Sequence, residues 1–334
     1  MPEAMREAKA TAIACANIAF IKYWGRVNPA LNIPANGSVS MCLGSLTTTT
    51  TVLLDEALSA DELVINDEPT EGRALERVSR HLDAIRQVAG SRWRAKVVSR
   101  NNFPMAAGMA SSAAAYAALT VAAAGAWGLS LDTAQLSALA RLGSGSACRS
   151  IPAGFVEWQQ GSDHASSVAY SIAPPEHWAL CDCIAIVAAG EKAVSSLQGH
   201  TLAETSPLYP LRVRTTGSRV RDCREAVAAR DMVRLGEVTE VDNFMLHAIA
   251  MTSEPPIHYW SDETRRVLDA VLTWREQGLP VYFTLDAGPN VHCLCEEANA
   301  EQVAQQLREM PEVLEVLVAR PGEGAHLVDE HLDS

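Results

Sequence analysis

The chain has 334 residues, 48% hydrophobic and 20% charged, which is enough apolar material for a sizeable core and excludes a disordered polymer. Lys and Arg total 27 against 40 Asp and Glu, a net charge of −13, which argues against wrapping DNA or RNA, whose phosphates need a basic face. No stretch reaches the roughly 18 to 20 apolar residues of a membrane helix, and the N-terminus has no apolar signal core, so a cytoplasmic protein is expected.

Residues 10–23 read as a strand entering a loop, and 32–37, punctuated by Pro34 and Gly37, as a turn. The threonine run 47–51 continues into Val52-Leu53-Leu54, a β-branched stretch suited to a strand. Apolar spacing predicts a helix over 71–88, and alternation predicts a strand over 93–99. The Ala-rich segment 106–127 is the clearest helix. A second helix, 132–142, has Ser130 or Asp132 as N-cap, and a turn at 143–146 leads to a strand over 154–159.

A buried strand is predicted over 181–188. Segment 191–210 is polar, with Gly199 and two prolines, and is the expected boundary between domains 1–190 and 191–334. Beyond it come helices over 211–229, 232–252 and 262–277, strands over 281–285 and 291–295, a helix over 300–310 and a strand over 313–319. Helices alternating with antiparallel-looking strands make the class α+β.

The eight cysteines include two Cys-x-Cys pairs, Cys181/Cys183 and Cys293/Cys295. On a strand that spacing puts both sulfurs on one face. Zinc knuckles use wider spacing, so reduced thiols packed as small apolar residues are the favoured reading.

Four segments could carry chemistry. Asn102-Phe103-Pro104-Met105-Ala106-Ala107-Gly108-Met109-Ala110-Ser111-Ser112-Ala113 runs from a strand through a small-residue loop into the Ala-rich helix. Free N–H groups and the dipole at a helix start suit an anion; a tight turn before a closely packed helix is the plain alternative. The loop is neither of the common nucleotide fingerprints. Gly143-Ser144-Gly145-Ser146-Ala147-Cys148-Arg149-Ser150 pairs hydroxyls with an Arg fork suited to carboxylate or phosphate, or is a flexible loop with a solvated Arg.

Ile21-Lys22-Tyr23-Trp24-Gly25-Arg26 clusters two cations and two aromatics at a strand end, or holds a snorkelling lysine and a packing aromatic. Asp286, in Thr284-Leu285-Asp286-Ala287-Gly288-Pro289-Asn290, could act as a general base or close an Asx-turn. The histidines form no recognised metal spacing, and a G-x-S-x-G elbow is absent.

Together these segments resemble the GHMP kinase superfamily and, within it, the mevalonate diphosphate decarboxylase family. Asn17 to Gly25 looks like that family's N-terminal signature and Asn102 to Ser112 like its ATP loop. Arg141 to Ser150 and Asp286 to Asn290 are similar to its serine–arginine and catalytic aspartate motifs. The resemblance implies a two-domain fold, ribosomal protein S5 domain 2-like then ferredoxin-like, and a homodimer. It implies that ATP phosphorylates the 3-hydroxyl of a mevalonate phosphate, after which phosphate and CO2 leave.

By resemblance Asp286, Lys22 and Arg149 are catalytic: Asp286 the base, Lys22 the neutralising cation, Arg149 the carboxylate grip. Ala19, Tyr23, Arg26, Ser144, Ser146, Ser196 and His200 would contact substrate. Gly108, Ala110, Ser111 and Ser112 would hold ATP, with Ser112 toward Mg2+. The family's loop usually reads Val-Ser-Ser-Arg, whereas this chain has Val194-Ser195-Ser196-Leu197. Leucine offers no fork to a phosphate, so the expected substrate is mevalonate 5-phosphate, giving isopentenyl phosphate. The alternatives are mevalonate 5-diphosphate, giving isopentenyl diphosphate, and a mevalonate kinase without decarboxylation.

Overall fold

A computed structural model describes residues 7–103, 111–188 and 194–333. The first sheet begins with two long strands, β1 (Glu7–Ile21) and β4 (Ser38–Asp55), which pair antiparallel. Between them lies a small hairpin, β2 (Arg26–Asn28) and β3 (Ile33–Pro34). The threonine run forms the far half of β4; its near half, where Ser38, Gly44 and Ser45 weaken the apolar pattern, extends the predicted strand. Next come β5 (Glu62–Ile65), β6 (Glu68–Pro69), α1 (Arg73–Ala89) and β7 (Arg94–Asn101), the last pairing with β4.

Helix α2 (Ser111–Ala126) packs its alanines on β1, small side chains allowing close approach. Helix α3 (Thr133–Gly143) starts at the expected Asp132 cap, closed by a capping box with Gln135. Where a turn is expected at 143–146, only Ser144 separates α3 from a 3-10 helix, Gly145–Ser150, which carries Arg149. Strands β8 (Phe155–Trp158) and β9 (Ala169–Ala173) extend the first sheet from β4.

The second sheet contains β10 (Leu180–Ile186). The segment expected as a plain boundary holds a short helix, α4 (Ser196–Leu202), capped by Ser195 with Gln198. Helices α5 (Tyr209–Ala229), α6 (Met232–Met251) and α7 (Asp262–Glu276) follow. Then come β11 (Val281–Thr284), β12 (Val291–Glu296), α8 (Glu297–Arg308) and β13 (Glu315–Ala319), giving sheet order β11-β12-β10-β13. A last strand, β14 (His326–Val328), returns to pair with β1 in the first sheet. Its side chains are largely exposed and lack apolar alternation, so the sequence pattern missed it.

Three apolar layers hold this together: α1–α3 on the first sheet, a central layer between the sheets, and α7 with α8 on the second sheet. The two Cys-x-Cys pairs face each other across β10 and β12 and point into the last layer, beside Val267, Val271 and Val303. All eight cysteines are buried free thiols, and among the described residues no group of three or more His, Cys, Asp or Glu is placed to hold a metal. Among the described residues no helix is long and apolar enough to cross a membrane.

Candidate active site

Lys22 follows the last residue of β1, and Asp286 lies just beyond β11. They come from opposite ends of the chain, yet Lys22 Nζ donates to Asp286 Oδ1 at 3.0 Å. Lys22 is 2% exposed and Asp286 25%. Burial pushes the lysine below its ordinary range, and the Asp286 charge opposes that push. The backbone of Lys22 is also tied down. Its N–H donates to Asp242 of α6 at 2.7 Å, and its carbonyl accepts from Arg212 of α5 at 2.8 Å and from Asn36 at 2.9 Å. Asp242 in turn is held by Arg212 and Arg219, and these cations keep its carboxyl below the usual range despite burial.

Arg149 shares this electrostatic environment, coupling to both Lys22 and Asp286. It is buried, and its Nε and Nη2 donate to Asn17 Oδ1 at 3.3 and 3.1 Å while Nη1 donates to Ser38 Oγ at 3.1 Å. A guanidinium has five N–H donors. Those three bonds leave one further N–H on each terminal nitrogen for an acceptor such as a carboxylate. Asn17 is fixed by Ser150 Oγ at 2.8 Å. The sequence gives Asn17, Ser38 and Asp242 no role, because nothing in a polar residue's identity says which buried group it faces.

A second cluster surrounds the start of α2. Ser112 Oγ lies 3.2 Å from Ser144 Oγ, and Ser144 Oγ lies 3.5 Å from Ser146 Oγ. Gly145 sits between them because a Cβ there would be 2.5 Å from the Tyr23 ring. Gly108, Ala110 and the side chain of Ser111 lie outside the described residues.

The third cluster forms where α4 meets the strand end. Gly25, at φ +88°, donates its N–H to His200 Nδ1 at 3.0 Å, which puts the imidazole proton on Nε2. The His200 ring lies 4.1 Å from Tyr23 and 4.8 Å from Trp24, centroid to centroid. Arg26 reaches Asn32 and Thr201. Ala19 is buried in the β1–β4 ladder opposite Ser40, and Ser196 is exposed at the start of α4.

Burial holds His200 and His247 down at about 3 and His81 down at about 4. Unfolded histidine titrates near 6.5, so as pH falls the unfolded chain binds protons that the fold refuses. Stability contributed by these groups is therefore intact above about pH 6.5 and lost progressively below it. At pH 5 each costs about 2 kcal/mol, about 6 kcal/mol together. The melting temperature is expected to fall steeply from pH 7 to pH 5. His81→Gln, which keeps a partner for Thr120, is expected to make that fall shallower in a thermal scan.

The fold and site define a protein of the GHMP kinase superfamily. The diphosphomevalonate decarboxylase-like N-terminal domain matches residues 14–169, and the mevalonate 5-diphosphate decarboxylase C-terminal domain matches residues 183–320. The chain therefore belongs to the mevalonate diphosphate decarboxylase family and is an ATP-dependent decarboxylase. Diphosphomevalonate decarboxylase of Candida albicans is 36% identical over 315 residues, 89% of this chain and 87% of that one. The Bos taurus protein of the same name is 36% identical over 325 residues, 90% and 80% of the two chains. The Staphylococcus aureus mevalonate diphosphate decarboxylase structure superposes with a TM-score of 0.92 at 36% identity, covering 97% of this chain and 98% of that one. A structure of MDDEF in complex with MVAPP, AMPPCP and magnesium gives 0.91 at 37% identity, covering 97% and 100%.

The names of these relatives fit the alternative substrate, mevalonate 5-diphosphate, better than the mevalonate 5-phosphate expected from Leu197. Leu197 is 46% exposed at the second position of α4, and Arg26 reaches Thr201 of the same helix.

Proposed function

We propose that this chain converts mevalonate 5-diphosphate and ATP, with Mg2+ bound beside the ATP, into isopentenyl diphosphate, ADP, phosphate and CO2 at one site. The observation that carries this reading is the buried Lys22–Asp286 pair with the Arg149 fork in the same electrostatic environment. When bound, ATP supplies the phosphoryl group and Mg2+ the charge that neutralises it. The hydroxyls of Ser112 and Ser144, 3.2 Å apart at the start of a 16-residue helix, are the oxygen donors and dipole end that such a group requires. Ser111, Ser112, Gly108 and Ala110 are assigned to it.

Asp286 accepts the proton of the 3-hydroxyl, and Lys22 keeps the carboxylate ionised beforehand. Arg149 holds the C1 carboxylate, with Ser144 and Ser146 beside it, so that it stays aligned for loss as CO2. Departure of the tertiary phosphate builds positive charge at C3, which a fixed negative group in the pocket would stabilise. Tyr23, Arg26, His200, Ala19 and Ser196 form the surroundings of the diphosphate end. We place the lobe boundary near residue 190, with β14 crossing back, and take the working unit to be a cytoplasmic homodimer.

The test is kcat/KM for mevalonate 5-diphosphate and 5-phosphate under identical conditions. At least a tenfold preference for the diphosphate is expected, about 1.4 kcal/mol. A preference for the monophosphate would reject the diphosphate reading. Because Leu197 is exposed, Leu197→Arg is expected to change KM for the diphosphate less than about fivefold, the range of an exposed ion pair.

A further inference from the structure

Strand β11 lies at the edge of the second sheet, so its outer backbone groups have no strand to pair with. Helix α6 supplies side chains in place of that strand. Glu240 Oε1 accepts the Phe283 N–H at 3.1 Å, and Asn243 Oδ1 accepts the Leu285 N–H at 2.8 Å. One turn on lies the buried His247, its ring 4.9 Å from that of Trp260. Leu285 is the residue immediately before Asp286. The same helix accepts the Lys22 N–H through Asp242.

Successive helical residues point about 100° apart, so positions 242 and 243 can serve two different strands from one turn. Asn243 is fully buried, and its Nδ2 has no partner. Its acceptor oxygen is thus the polar atom at work, and an apolar residue of the same size would leave the Leu285 N–H unmet.

We propose that α6 is the positioning element of the Lys22–Asp286 pair, with Asp242 fixing the lysine end and Asn243 fixing the aspartate end. This inference rests on the reading above that the pair performs the chemistry. It assigns no substrate contact to Asn243: the residue acts through the backbone that carries Asp286. Displacing a catalytic group by even a fraction of an ångström slows the chemical step while leaving ground-state binding in place.

The experiment is Asn243→Leu, assayed with mevalonate 5-diphosphate and ATP, alone and combined with Asp286→Asn. Alone, kcat is expected to fall about tenfold or more with both KM values within about twofold. In the Asp286→Asn background the added loss is expected to be under about twofold, because there is no base left to misplace. Unchanged kcat in a folded Asn243→Leu protein, or the same loss in both backgrounds, overturns the inference. Should Asn243→Leu fail to fold, Asn243→Ala enters the same comparison, with an expected loss of about threefold or more in the wild-type background only. Full activity of Asp286→Asn alone overturns the reading of the pair. An inactive Asp286→Asn beside a fully active Asn243→Leu overturns only the role of the helix.

Discussion

Asp286→Asn is expected to lower kcat about a thousandfold, within the range that general acid–base catalysis supplies, with KM for ATP little changed. The substitution keeps the size and one acceptor oxygen of the side chain but removes its charge and basicity. It also deprives Lys22 of the charge that opposes its desolvation. Already held below its ordinary range, the lysine falls further and loses its proton at a lower pH than in the native enzyme. Residual turnover in the variant is therefore expected to decline with rising pH earlier than native turnover does. Rate–pH profiles of both proteins check the two effects together. A thousandfold loss with an unshifted profile would mean that Asp286 works without coupling to Lys22.

Arg149→Met is expected to lower kcat/KM for the mevalonate substrate about a hundredfold to a thousandfold, the cost of truncating one side of a buried, hydrogen-bonded charge contact. Two effects combine. The carboxylate fork disappears, and Asn17 and Ser38 lose the donors they accept in the native fold. Arg149→Lys separates them: it restores the charge but not the planar pair of donors. It is expected to recover about tenfold of the loss. The ATP KM should stay nearly constant in both variants. Steady-state kinetics in both substrates, with a thermal scan to confirm folding, measures this directly.

The sequence made the helices and the reacting residues legible for different reasons. Helices α1, α3 and α7 carry strong periodicity, and α3 starts at its expected Asp132 cap. Lys22, Arg149 and Asp286 stood out because each is a charged residue set among small or apolar neighbours at an element's end. Their convergence was not legible from spacing: 127 residues separate Lys22 from Arg149 by number, and only the stacking of two sheets brings β1 and β11 together. The holding groups were least legible of all. Asp242 and Asn243 sit in a helix of ordinary composition, and their burial becomes apparent only when α6 packs between β1 and β11. Leu197 shows the same limit, since a residue type seen in a loop does not reveal which way it faces.

The most direct test supplies ATP and carboxyl-labelled mevalonate 5-diphosphate and follows ADP and labelled CO2 together. The account predicts one CO2 for each ADP with the native enzyme, and both products lost together in Asp286→Asn. ADP formed without CO2, or CO2 release persisting undiminished in Asp286→Asn, would contradict it.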